Sequence, residues 1–211
     1  MKRRPSILGI TISSDILMYS IVDITDISFS FMYADKVSLE PYHLIDGIIF
    51  NTTKFIESLK KKATALRSRF SHVLLSITAS EEKIIISDQL EQEKKLYTTY
   101  IIDTISLPSN YVYFCKIKRE NLWQYQLLCI ASKLPCIGIT TPLSAFLQIA
   151  SHGANNSDTI SHQPSLSNLK EKLKTKMHTL SINNRPHLLN EEEIGIACGL
   201  SIIGHKLHGF Y

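Results

Sequence analysis

The sequence predicts an α/β fold. Its first third changes from the two-residue alternation of β-strands to the three-to-four-residue spacing of a helix, and strands and helices then alternate along the chain. The 211 residues, 44% hydrophobic and 20% charged, are enough for one well-packed core or two small lobes. No run of about 18 uninterrupted apolar residues occurs, so we expect no membrane span. The opening MKRRPSILGITI is not expected to be cleaved as a secretory leader, because Thr11 and Ser13 interrupt its apolar run.

Three β-strands open the chain. They are predicted at residues 7–12, 16–24 and 27–33, and the segment ISFSFMY in the third alternates apolar and polar residues as a half-buried strand does. Only short polar turns separate the three segments, so we expect an antiparallel meander.

Helices and strands alternate through the middle of the chain. A helix is predicted to begin after Asn51 or Thr52, either of which can accept a backbone N–H bond as the N-cap. The strands HVLLSITAS and EKIIISDQL follow, and then a helix is predicted from Leu90 to Ile105, ended by Pro108. YVYFCKIK is predicted as a strand, and NLWQYQLLCIASKL as a helix that places Trp123 in the core.

The last part of the chain is predicted to be mostly helical. A strand, CIGIT, precedes a helix with Thr141 as N-cap, and residues 151–165 have almost nothing to bury and are expected to form a linker. A basic amphipathic helix follows, and the closing helix at 190–206 begins with a capping box of Asn190 and Glu193. Gly195 and Gly199 lie four residues apart, which predicts close approach of a neighbouring backbone.

Neither a metal site nor a disulfide framework is indicated. The four cysteines contain no C-x-x-C pair, and the nearest histidines, His205 and His208, have no acidic or cysteine partner at a suitable spacing. No G-x-S-x-G nucleophile motif is present. We therefore expect no metal, no cofactor and no catalytic residue.

Four segments together resemble one protein family. LGITISSD, IDGIIFN, GITTPLSAFLQIA and IGIACGLSI occur in the order found in the PilM-like proteins of type IV pilus assembly, including the HofM-like and competence relatives. This family belongs to the actin-like ATPase superfamily, and the resemblance covers residues 6–150 and 190–203. It implies an actin-like (ribonuclease H-like) first lobe at 1–150, with an inserted small strand-helix module at about 72–134.

The resemblance also implies that the second lobe is largely missing. Residues 166–211 would form C-terminal helices that pack back on the first lobe. Fewer than 40 residues separate Ser151 from Asn190, and most of them are polar. We expect no room there for the lobe that closes a nucleotide cleft.

The first hairpin departs from the phosphate-binding pattern of active family members. That pattern resembles G-[IV]-D-[IL]-G-[ST]-[ST], and Gly9 and Ser14 match it, but Thr11 stands at the aspartate position and Ser13 at the second glycine. Threonine supplies no carboxylate for Mg²⁺, and the Cβ of Ser13 narrows the approach of a phosphate. We therefore expect a degenerate pseudo-ATPase with no hydrolysis and at best weak nucleotide binding.

The function implied by the resemblance is scaffolding. The protein would lie in the cytoplasm, peripheral to the inner membrane, and hold the cytoplasmic tail of a PilN-like single-span protein in a pilus or DNA-uptake assembly. The residues predicted to bind this partner are Ile84, Ile86, Tyr111 and Tyr113. Two alternatives stay open: a divergent ATPase of the same superfamily, and a basic membrane-surface or nucleic-acid adaptor that uses Lys60–Lys62 and Lys170–Lys176.

Overall fold

The structure, a computed structural model, describes residues 6–25, 28–39, 44–45, 47–151 and 165–207. The strands are β1 (Ile7–Ile12), β2 (Ile16–Ile24), β3 (Ser28–Ser38), β4 (Leu44–Ile45), β5 (Ile48–Ile49), β6 (His72–Ile77), β7 (Glu81–Ile86), β8 (Tyr100–Leu107), β9 (Tyr111–Lys118), β10 (Cys136–Thr140) and β11 (Ser181–Asn183). The helices are α1 (Thr52–Leu66), α2 (Leu90–Leu96), α3 (Arg119–Ala131), α4 (Pro142–Ser151), α5 (Leu166–Met177) and α6 (Glu191–Leu207).

The main sheet has six strands in the order β10-β6-β1-β2-β3-β11. β1, β2 and β3 pair antiparallel, so the predicted meander is confirmed, with β3 extending to Ser38. β6 pairs parallel to β1, and β10 pairs parallel to β6. β6 reads as a continuous apolar run because residues on both of its faces are buried, as is usual for a central parallel strand.

Helices cover both faces of the main sheet. On the face that we call the α1/α3 face, Phe55 and Leu59 of α1 and Tyr125 of α3 share one core cluster with alternate residues of β1, β2 and β6. On the opposite α4/α6 face, α4, α5 and α6 pack in a second cluster that includes Leu173 and Leu200. The main sheet is therefore the middle layer of three.

A separate small sheet forms the inserted module. Its strand order is β7-β9-β8, and α2 packs on one face through Tyr97 and Leu90. The helix predicted from Leu90 to Ile105 is therefore wrong beyond Leu96, because β8 pairs along its whole length with β9. The small sheet begins at Glu81 rather than near residue 72, since β6 belongs to the main sheet, and α3 packs on the main sheet as well.

The predicted helix caps are present. The backbone N–H of Glu193 donates to Asn190 Oδ1 (3.0 Å) and that of Asn190 donates to Glu193 Oε2 (2.8 Å), which completes the capping box of α6. Thr141 Oγ1 accepts the N–H of Ser144 (3.2 Å) at the start of α4. A Cβ added at Gly199 would overlap the Ala145 carbonyl, so the predicted close packing of α6 is confirmed, with α4 as its neighbour.

The described C-terminal residues return to the main sheet. α5 and α6 share a core with β2 and β3, and β11 pairs with β3 at the sheet edge. Most of the predicted linker, residues 152–164, lies outside the described residues, as does His208. Among the helices that the structure describes, none is both long and apolar enough to cross a membrane.

Candidate functional site

The turn between β1 and β2 uses its polar groups within the hairpin. The Ser13 N–H donates to the Ile16 carbonyl (3.0 Å), and the Ser13 hydroxyl lies within hydrogen-bond distance of that carbonyl and of Asp15 Oδ1. Ser14 also bonds Asp15, whose carboxylate is exposed at the tip. The Ser13 amide is therefore already engaged and is not directed toward an anion.

Hydroxyl residues occupy the carboxyl ends of the parallel strands. Thr11 of β1 is paired with Ser76 of β6, which is paired in turn with Thr140 of β10. All three are buried, and the hydroxyls of Thr11 and Ser76 have no hydrogen-bond partner in the structure. This end of parallel strands is where α/β folds bind ligands. In this chain these strand ends carry neutral hydroxyl groups, and none of the three paired residues has a carboxylate.

Gly9 has a packing role. A Cβ at this position would lie 3.0 Å from Leu200 of α6 and 3.0 Å from the Ser20 hydroxyl. The glycine therefore lets α6 lie close to β1, and its match to the phosphate-binding pattern has a structural explanation.

A groove of about 450 Å³ lies between the main sheet and the inserted module. Its walls come from β8 and β10, and α4 and α6 close it from the side. The surface that lines it is mainly apolar, although six lining side chains are polar or charged. The apolar side chains are Leu74, Ile105, Ile137, Ile139, Ile203 and Leu207.

Both strands that form the groove walls are edge strands. Within the described sheets, β8 pairs only with β9, and β10 pairs only with β6. Each strand therefore has one side of main-chain N–H and C=O groups that no described strand pairs. β10 also has an irregular register between Cys136 and Gly138, so Ile137 stands out of the ladder beside the groove. Such an edge can accept an extended peptide as an additional strand.

Few charged groups line the groove. Asp103 is the acidic one, and burial around its carboxyl raises its pKa, although hydrogen bonds from the Thr104 N–H (2.9 Å) and from Ser144 stabilise the anion. The residue as a whole still keeps part of its surface open to solvent. Lys206 is the basic one, and its Nζ donates to Gln148 Oε1 (2.9 Å). The groove is thus suited to a largely apolar extended segment.

Tyr113 connects the module to α4 and is fully buried. Its hydroxyl donates to Glu82 Oε1 (2.8 Å) and lies 3.2 Å from Thr141 Oγ1. α2 packs on one face of the small sheet and α4 packs on the other, where Tyr113 is enclosed, whereas Tyr111 at the start of β9 stays half-buried. Tyr113 therefore has no surface with which to contact a partner.

The other three residues predicted to bind the partner lie outside the groove. Ile84 is partly buried against the α4/α6 core, and Ile86 is 40% exposed on β7. Tyr111 pairs with Ile86 at the end of β9. The groove residues of β8 were missed because that segment was predicted as a helix. The strand CIGIT, now β10, was predicted, but its edge position depends on pairing that no local pattern encodes.

The two lysine runs lie on opposite faces of the main sheet. α1, which carries Lys60–Lys62, packs on the α1/α3 face, whereas α5, which carries Lys170–Lys176, packs on the α4/α6 face. Lys170 and Lys174 also pair with Glu192 and Glu171. A single basic surface built from both runs is therefore excluded. Among the described residues, no three histidine, cysteine or acidic side chains gather as metal ligands would.

Comparison with known proteins shows the fold. No family model and no curated protein matches the sequence. Similar solved structures include a PilM-PilN type IV pilus biogenesis complex, with a TM-score of 0.54, 12% identity and coverage of 70% of this chain and 51% of that chain. Another is the cytoplasmic domain of EpsL, an inner membrane component of the Vibrio cholerae type II secretion system (TM-score 0.44, 11% identity, coverage 66% and 58%). A third is Thermus thermophilus RuvC (TM-score 0.44, 11% identity, coverage 97% and 96%).

The chain spans about half the length of the solved chain in the PilM-PilN complex. The likeness to the PilM-PilN complex, whose TM-score is above 0.5, assigns the fold alone. The three-stranded meander, the parallel strands beside it and the helices on both faces agree with that assignment. The chain therefore has a mixed α/β fold of the actin-like ATPase type and corresponds to one lobe of it.

Proposed function

We propose that this chain is a non-catalytic scaffold of a type IV pilus or DNA-uptake assembly, which holds the cytoplasmic tail of a PilN-like membrane protein. One observation carries the proposal: an apolar groove lies between the main sheet and the module, with an open strand edge on each side. The fold-level likeness to a PilM-PilN complex supports the choice of partner. The protein would then be held at the cytoplasmic side of the inner membrane by that tail.

The groove chemistry defines the segment that it would bind. An extended tail added to β8 or β10 would gain main-chain hydrogen bonds, and every second side chain would point between Ile105 and Ile137. Apolar residues at alternate positions fit this environment. A basic residue near the middle of the tail would lie close to Asp103.

The absence of catalysis in this proposal rests on the strand ends. Thr11 stands where the family pattern has a magnesium-binding aspartate, it has little surface open to solvent, and Ser76, paired with it, adds no carboxylate. The Ser13 amide is already bonded within its own turn. A divergent ATPase remains the competing function. The experiment described next tests this alternative as well.

The test measures binding of a labelled peptide that carries the cytoplasmic tail of a PilN-like protein, by fluorescence anisotropy, with and without Mg·ATP. We expect saturable binding that nucleotide does not change. Ile105→Ser and Ile137→Ser should each weaken it about tenfold, because each removes most of an isoleucine side chain from the contact. Ile86→Ser on β7 is the matched control and should bind like the unaltered chain.

Two outcomes would count against the proposal. Equal affinity of all three variants would exclude this groove as the peptide site. Release of phosphate from Mg·ATP in proportion to the amount of chain would instead favour the ATPase.

A further inference from the structure

Helix α3 carries large apolar side chains on both of its faces. Tyr125, Leu128 and Cys129 point into the core of the α1/α3 face. On the opposite side of the helix, Trp123, Leu127 and Ile130 stand at positions i, i+4 and i+7 and are 64%, 49% and 72% exposed. The prediction that Trp123 packs in the core is therefore wrong. We call these three exposed residues the Trp123 stripe.

On the two helices of the α1/α3 face and the residues that flank them, exposed basic side chains outnumber exposed acidic ones. α1 contacts α3 on the same face of the sheet. Residues 52–69 and 118–133 contain eight exposed basic side chains and two exposed acidic ones, Glu57 and Glu120. The basic ones are Lys54, Lys60, Lys61, Arg67, Arg69, Lys118, Arg119 and Lys133. Eight minus two leaves a charge of +6 on the exposed residues of these two segments.

We propose that the α1/α3 face binds the surface of an anionic lipid bilayer, with the Trp123 stripe inserted at the level of the headgroups. Tryptophan is favoured at this depth because its ring is apolar and its N–H can still reach a polar partner. Leucine and isoleucine beside it gain from burial among the acyl chains, and lysine and arginine around them are attracted by anionic headgroups. Charge and apolar character thus point to the same ligand.

Two other occupants fit less well. A second copy of the chain would bring the basic residues of these two segments against the same residues of its partner, which opposes association. A nucleic acid would satisfy the basic residues, but it offers no apolar phase for Leu127 and Ile130. The groove between β8 and β10 opens on the α4/α6 side of the sheet, so bilayer binding and tail binding use different surfaces and can be measured separately.

The chain contains one tryptophan, which makes Trp123 a direct probe of the contact. The experiment mixes the full chain with phosphatidylcholine vesicles, with or without phosphatidylglycerol, and records Trp123 fluorescence and cosedimentation. With phosphatidylglycerol we expect a blue shift, quenching of Trp123 by brominated acyl chains, and loss of binding at high salt. Phosphatidylcholine alone should bind much more weakly.

Paired variants separate the apolar and the basic contributions. Leu127→Ser with Ile130→Ser should weaken partitioning by roughly tenfold or more, since both side chains lose apolar burial. Lys60→Gln with Lys61→Gln should weaken partitioning by up to about 25-fold, at about fivefold per charge. Controls are Leu96→Ser on α2, where Leu96 is 71% exposed, and Lys172→Gln on α5, and both should partition like the unaltered chain.

Several results would overturn the proposal. One is the absence of a Trp123 shift with anionic vesicles, and another is equal partitioning of the apolar double variant and the Leu96→Ser control. A blue shift that depends on protein concentration without vesicles would assign the face to a second copy. A shift with duplex DNA but not with vesicles would assign it to nucleic acid.

Discussion

At the level of single residues, Tyr113 and Trp123 have the opposite environments from those that the sequence predicts. Tyr113 was predicted to contact a partner from its strand, but both faces of the small sheet are covered. Trp123 sits on a helix with apolar residues on every side, so no periodic pattern distinguishes its inner face from its outer face. In both cases exposure depends on which element packs alongside, and local spacing does not contain that information.

Replacing Tyr113 tests whether it is a buried connection or a docking residue. Tyr113→Phe removes the hydroxyl that bonds Glu82 and lies beside Thr141, and it should lower the free energy of unfolding by about 1 kcal/mol. Tyr111→Phe, at a half-buried position on the same strand, is the matched control and should change it by less. Urea denaturation followed by circular dichroism gives both values. Unchanged stability together with weaker tail binding in Tyr113→Phe would restore the docking role.

At the level of elements, the sequence predicts those with strong local signals. The three opening strands, α1 with its Asn51 cap and α6 with its capping box all follow from such signals. β8 was missed because Leu96, Tyr100 and Asp103–Ile105 also fit a helical spacing. Its β-branched and aromatic residues favour a strand, and pairing with β9 decides the outcome. β4, β5 and β11 are two or three residues long, too short to leave a periodic pattern.

The packing of α6 on α4 depends on glycine at one position. Gly199→Ala would place a methyl group on the Ala145 carbonyl, and backbone cannot rotate away as a side chain can. We expect the free energy of unfolding to fall by about 3 kcal/mol, at the upper end of overpacking costs. Gly138→Ala is the matched control, because its added methyl group meets only the side-chain ends of Leu74 and Leu207, at 3.0 and 3.3 Å. That change should cost about 1 kcal/mol or less, and equal losses in the two variants would show that α6 can move away from α4.

At the level of the whole molecule, the groove exists only after distant segments assemble. Ile105 comes from the module, Ile137 from the edge of the main sheet and Ile203 from the last helix. The sequence predicts that these segments are structured, but the gap between them is set by the docking of the module on α4 through Tyr113, Thr141 and Ser144. The residues that line the groove could be identified only from the assembled fold.

The three layers should unfold together, because the same six strands support both helical faces. Three buried thiols report on separate parts: Cys198 on α6, Cys129 on α3 and Cys115 in the module. Burial raises the pKa of the Cys198 and Cys115 thiols, which slows alkylation in the folded state further. Brief alkylation at increasing urea concentrations, followed by peptide mass spectrometry, gives the fraction of each thiol that has reacted. We expect the alkylation of all three thiols to rise with the same midpoint urea concentration.

The half-buried Cys136 is the internal reference in this experiment, since it should react before unfolding. A lower midpoint for Cys198 than for Cys129 would mean that the C-terminal helices leave the sheet before the α1/α3 face unfolds. The lobe would then consist of a core and a detachable layer. One midpoint is the expected result because Leu200 of α6 packs directly on Gly9 of β1, and β1 also presents Leu8 and Ile10 to the core of the α1/α3 face. Loss of either helical layer exposes one side of that central strand to water, so neither layer is stable without the other.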